Sequence, residues 1–181
     1  HYTKGKGFYD NFKEDADYAE YGLEAINGEA TTDLVRQKWL DNDFYGTTFS
    51  LNYKKKKLDV ILGGGWNKYE GAHFGKVIWT RFGAKNNPGG KYYDDDAIKV
   101  DGNIFAKANY QITSKLNLYG DLQYRRVSYK ANAAETGIVA DVFNFFNPKA
   151  GLNFDINTKN ALYFSYAKAN REPNRDDYEN G

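Results

Sequence analysis

The residues able to do chemistry are few and scattered. His1 and His73 are the only histidines, Cys is absent, and neither histidine stands beside a nucleophile motif, so Ser-His-acid and Cys-His catalysis have no constellation to work with. Nothing here predicts an enzyme, a metal site or a cofactor. Asp94, Asp95, Asp96 and Asp101 crowd one stretch, but their spacing lacks the glycine and terminal glutamate of a calcium loop, and a solvated acidic segment is expected. Gly63, Gly64 and Gly65 are no phosphate cradle, because no Lys-Ser/Thr follows and no helix is signalled; small residues at a sheet bend are expected. Lys54, Lys55, Lys56 and Lys57 need only water. Arg171, Glu172, Arg175, Asp176 and Asp177 suggest a structural charge network after a strand. What remains is a ligand-contact set: His73, Trp79, Tyr92 and Tyr93 share one long stretch, where an imidazole and three rings could hold a small ligand if they are not simply loop packing.

The elements that must position these residues are strands. From residue 44 the sequence alternates with period two over runs of about ten residues, and helix-period windows are scarce. Tyr45, Thr47, Phe49, Leu51 and Tyr53 share one face. Leu58, Val60, Leu62, Gly64 and Trp66 answer them across a turn at 54–57. Residues 103–129 repeat the scheme around a turn at 113–115, with Leu116, Leu118, Gly120, Leu122 and Tyr124 set against Asn117, Tyr119, Asp121, Gln123 and Arg125. Residues 148–170 repeat it again around 157–160. The expected organisation is a loop and strand approach at 1–43, hairpins at 44–67, 103–129 and 148–170, and the start of a further loop at 171–181.

Turns within hairpins are short, whereas connections between hairpins run to roughly 30 and about 15 residues, long for a compact domain. Soluble sandwiches have no reason to segregate long loops to one end; outer-membrane barrels put short turns in the periplasm and long loops outside. The chain is 17% aromatic, with 16 Tyr, yet its mean hydropathy is −0.79. Tyr suits positions where apolar meets wet, and Tyr45, Tyr53, Trp66, Tyr110, Tyr124 and Tyr166 sit near the ends of the apolar runs, as interfacial girdles do. Tyr45 and Tyr53 are separated by about 26 Å of strand, enough for a tilted strand to cross an apolar band. There is no run of apolar residues long enough for a transmembrane helix, a feature barrels never need. With 25 basic and 24 acidic residues intermixed, no nucleic-acid footprint exists.

Five stretches carry a resemblance. Residues 39–46 read WLDNDFYG, 72–79 AHFGKVIW, 118–125 LYGDLQYR, 145–154 FFNPKAGLNF and 163–178 YFSYAKANREPNRDDY. Together, from about Thr31 to the end, they resemble barrel strands of TonB-dependent outer-membrane receptors, especially of the Bacteroidetes type, with NPKAGL plus ANREP the most specific part. The resemblance implies an all-β, antiparallel transmembrane barrel segment with about six clear strands and long extracellular loops, cut from a barrel of roughly 22 strands. A start at His1 without Met and a stop soon after ANREP suggest an internal piece. The implied partners are outer-membrane lipid, an extracellular nutrient such as an iron–siderophore complex, haem or cobalamin, and the TonB system acting through a plug domain, against which the glycines could also lie. The implied location is the bacterial outer membrane. Two other readings fit the alternation alone: a small, complete structural or adhesive outer-membrane barrel, and a soluble all-β carbohydrate-binding module.

Overall fold

The computed structural model describes residues 1–26, 28–86, 89–133 and 137–173. They form one antiparallel sheet in which neighbours in sequence are neighbours in space: β1 (Tyr2–Asp17), β2 (Thr31–Lys55), β3 (Leu58–Thr80), β4 (Lys91–Gln111), β5 (Leu116–Ala133), β6 (Gly137–Asp155) and β7 (Ala161–Ala167). A 3-10 turn at Ala19–Tyr21 is the only helical element among the described residues. β1 and β7 are the two edges, so the sheet is not closed on itself.

The predicted turns join the strands where expected, each with its own chemistry. Lys56 adopts a left-handed φ of 49° between β2 and β3. Thr113 Oγ1 accepts from the amides of Lys115 and Leu116, and Asn157 Oδ1 accepts from those of Lys159 and Asn160, side-chain mimics of a backbone turn. The seven strands exceed the six that alternation reveals, and they are longer. β2 alone has 25 residues, whereas a tilted strand crosses a bilayer in about 10. The ladder continues through most of the two segments read as loops: β3 and β4 stay paired out to Lys76 and Lys91, and β1, in the segment expected to be mainly loop, pairs with β2 from Tyr2 to Asp17.

The register puts the apolar residues of all hairpins on one face. Phe49, Gly64, Ile104, Tyr124 and Phe146 stand in one row across β2 to β6, with Leu51, Leu62, Ala106, Leu122 and Pro148 beside it. This face is open: Leu51 is 69% exposed and Leu122 53%. The opposite face carries rows such as Ser50, Gly63, Phe105, Gln123 and Asn147, and here Asp121 and Asn147 are only 5% and 7% exposed. Within these rows burial is therefore inverted relative to a protein in water, with Asp121 and Asn147 sheltered on one face and large apolar side chains presented on the other.

At the long-hairpin end the outward face changes character. Beyond Tyr2, Tyr45 and Trp66 it becomes charged, with Lys4 beside Asp43 at 3.2 Å and Lys6 beside Asp41 at 2.8 Å. Hydrogen bonds from the two lysines hold both carboxyls below the usual carboxylate range; for Asp43 the Tyr2 hydroxyl contributes most. An apolar band bounded by aromatic rings and then by paired charges is the profile of a wall crossing a bilayer.

Candidate functional site

The inner face at the long-hairpin end is where chemistry-bearing side chains converge. Three adjacent register rows build it. The lowest aligns Tyr69, Lys99 and Tyr129; the next aligns Gly71, Ala97 and Ala131; the third sets His73 opposite Asp95. Because residues two apart on a strand share a face, the small middle row forms a trough between ridges of rings and polar groups. The trough belongs to a cavity of about 210 Å³ bounded by these residues together with Asp96, Ala133 and Val139. A Cβ at Gly71 would displace the Tyr69 ring, so glycine leaves that ring its place.

His73 and Asp95 also border a second, more open hollow of about 490 Å³ toward Arg36, Lys38, Tyr92 and Tyr93. Tyr92 and Tyr93 meet edge-on at 4.9 Å, and Tyr21 packs on Tyr92 at 4.8 Å. Burial pushes both Tyr92 and Tyr93 phenols up from their ordinary value, so they remain hydrogen-bond donors throughout the physiological range. Arg36 is held by Asn11 Oδ1 at 2.9 Å and the Tyr21 hydroxyl at 3.1 Å. The structure thus gathers three of the four sequence candidates, His73, Tyr92 and Tyr93. Trp79 lines neither hollow: it pairs with Val35 next to a register shift and is 46% exposed.

A small apolar core roofs this end. Tyr18, Tyr21 and Leu23, from the β1–β2 connection, pack on Leu34 and Val77. The same connection is stapled to the one after β3: the Tyr18 hydroxyl donates to the Gly83 carbonyl at 2.7 Å, and Asn86 bonds both the Glu24 amide and the Gly22 carbonyl. These contacts fix the rim around the second hollow rather than leaving two independent loops.

The lower border is set by the chain after β7. Lys168 donates its amide to Pro148, Asn170 bonds Asn147 Oδ1 at 2.9 Å and the Phe146 carbonyl at 3.2 Å, and Glu172 reaches Lys99 at 2.7 Å and Arg125 at 2.8 Å. Residues 168–173 therefore leave the ladder and cross the inner wall from β6 over β5 to β4. Burial acts to raise the Glu172 pKa, but the hydrogen bonds from Lys99, its own backbone and Arg125 prevail and bring it down to about 2. Arg125 also binds Asp101 through Nε at 3.0 Å. Of the charge network expected after the strand, Glu172 pairs in this way; Arg175, Asp176 and Asp177 lie outside the described residues.

Tyr69, Lys99 and Tyr129 escaped the sequence reading because only cross-strand register brings them together; extending the ladder past Trp66 would have found them. Among the described residues no three His, Cys, Asp or Glu side chains gather as a cation site.

A long antiparallel wall, apolar outside, polar inside, banded by aromatic rings, defines a segment of a transmembrane β-barrel. The chain belongs to the TonB dependent receptor-like β-barrel family, whose model matches residues 1–181. That family consists of outer-membrane receptors and transporters rather than enzymes. No curated protein sequence matches the chain.

Proposed function

We propose that this chain forms part of the barrel wall of a receptor in the bacterial outer membrane, of the Bacteroidetes kind, that takes up a scarce nutrient such as an iron–siderophore complex, haem or cobalamin. The observation that carries the reading is the inverted burial: Leu51 and Leu122 face outward at the level where Asp121 and Asn147 are sheltered within. Such a wall belongs between lipid and a polar lumen. The short turns lie in the periplasm, and the strands beyond Tyr45 and Trp66 project outside the cell. There the ligand meets His73, Tyr92 and Tyr93 before passing inward, with energy delivered by the TonB system through a plug domain.

Deleting the gene for the full-length receptor and following uptake of radiolabelled ferric chelates, haem and cobalamin tests this reading. Loss of one uptake activity, itself abolished by a proton uncoupler, is expected. Unchanged uptake of the whole panel, or recovery of the protein outside the outer-membrane fraction, overturns it.

A further inference from the structure

We propose that Glu172 is a specificity-determining residue: by neutralising Lys99 it sets the smaller inner cavity to accept an uncharged, hydroxyl- or amide-bearing group and to reject an anionic one. The inference rests on the reading of this cavity as part of the ligand's path.

Lys99 is the only lysine or arginine among the described residues lining that cavity. Its ammonium lies 2.7 Å from Glu172 Oε1, and the other oxygen of the same carboxylate takes Arg125 Nη1 at 2.8 Å. Asp101 completes the group by receiving Arg125 through both Nε and Nη2. Two cations and two carboxylates thus balance at the cavity's lower edge. Both acids are well sheltered, with Asp101 at 14% and Glu172 at 17% exposure, so their charges act on Lys99 and Arg125 with little screening by water. Removing the Glu172 charge alone would leave one cation in excess within this group of four and free Lys99 to meet an anion, against the two carboxylates Asp95 and Asp96 that also line the cavity.

The remaining lining, which holds two carboxylates, Asp95 and Asp96, beside small and aromatic residues, favours an uncharged ring or chain over an anion. Gly71, Ala97 and Ala131 let a ligand approach the wall closely, Tyr69 and Tyr129 offer ring faces, and His73 and Asp95 offer hydrogen-bonding groups. An incoming carboxylate or phosphate would meet Asp95 and find Lys99 already engaged, leaving it poorly compensated. Glu172 acts through Lys99 rather than by touching the ligand, which makes it a positioning residue. It reaches the site because the chain after β7 turns inward as a strap, anchored by Asn170 and Glu172 of the ANREP stretch among others.

The test uses full-length receptor in detergent and two probes that differ by one charge, p-nitrophenyl glucoside and p-nitrophenyl glucuronide, with binding read by saturation-transfer NMR. Wild type is expected to favour the glucoside. E172Q should shift the ratio toward the glucuronide by about tenfold, the double variant E172Q/K99Q should return it, and E172D should keep the wild-type ranking. A heat-modifiable gel band checks that each variant forms its barrel. If both probes bind wild type and are lost in Tyr129→Ala, but E172Q leaves their ratio unchanged, the role of Glu172 is overturned while the cavity reading stands. If neither probe binds wild type, and Tyr129→Ala and His73→Ala leave nutrient uptake untouched, the cavity reading falls and takes the inference with it.

Discussion

Phe49 on β2 and Gly64 on β3 are register partners on the outward face, and the ring occupies the place a side chain at 64 would need. A Cβ there would lie 2.9 Å from Phe49 Cε1 and 2.5 Å from the Asn103 carbonyl oxygen. Gly63 repeats the arrangement on the inner face, where Phe105 covers it. Glycine weakens a strand by leaving backbone bare, and a cross-strand ring repairs the gap. Gly64→Val should therefore displace both the ring and the β4 backbone, costing about 1 to 3 kcal/mol as an overpacked site does. Urea unfolding of the receptor in lipid vesicles checks this; a midpoint equal to wild type would count against the packing account.

Leu122 and Gln123 are adjacent in sequence and opposite in environment. Leu122 is 53% exposed on the apolar face between Ala106 and Pro148, whereas Gln123 lies on the inner face beside Asn147. Leu122→Arg should cost roughly 2 to 4 kcal/mol at the membrane midplane and block barrel assembly, while Gln123→Arg should assemble. Protease protection in outer-membrane vesicles measures both. Equal assembly of the two variants would overturn the assignment of faces.

The same contrast shows what is legible in the sequence. Within the apolar band, alternation of Leu and Phe with Asn and Gln marks face and turn alike, so the 54–57, 113–115 and 157–160 turns and the outward rows are readable directly. Above Trp66 the ladder continues with Lys4, Lys6, Asp41 and Asp43 outside and Gly71, Ala97 and Ala131 inside. Period two persists there but hydropathy no longer follows it, because both faces meet water, and the segments resemble loops. Residues 12–21, within the segment expected to be loop and strand approach, are the end of β1 and a single 3-10 turn. His73, Tyr92 and Tyr93 are visible as residue types. That His73 and Asp95 stand opposite one another, and that Glu172 reaches Lys99 over 73 positions, depends on register and on a chain reversal with no local signature.

Glu172 should make the strap's attachment pH-dependent in a window well below neutrality. Its carboxyl falls from an ordinary 4.5 to about 2 in the folded protein, against the opposing effect of burial, through hydrogen bonds from Lys99, its own backbone and Arg125. A depressed carboxylate contributes stability that is complete above the unfolded value and is lost as pH drops toward the folded one. The strap should thus stay docked at pH 5 and release progressively between about 4.5 and about 2. Solid-state NMR of the receptor labelled with ¹³C-glutamate follows the carboxyl directly. A titration midpoint near 4.5 would mean that the ion pairs do not hold in the membrane.

Whether the ligand passes the inner hollows can be decided by comparing aromatic residues that a sequence reading treats alike. Tyr93 and Trp79 both lie on the hairpin of β3 and β4, both are large, and either could stack on a ligand. Tyr93 faces the hollow it shares with His73 and Arg36, in contact with Tyr92 at 4.9 Å, so its loss removes both a wall and the support of a neighbouring ring. Trp79 is 46% exposed beside Val35, and its loss leaves that wall intact. Stacking or hydrogen bonding by one such ring is worth about 1 to 2 kcal/mol, or roughly tenfold in affinity. Tyr93→Ala and His73→Ala should each lower uptake at limiting nutrient by about that factor, with little change at saturation, because they weaken capture rather than energised passage. Trp79→Ala should transport as wild type does. Concentration-dependent uptake by cells carrying each variant gives the answer; an effect of Trp79→Ala as large as that of Tyr93→Ala would move the capture surface to the outer side of the hairpin.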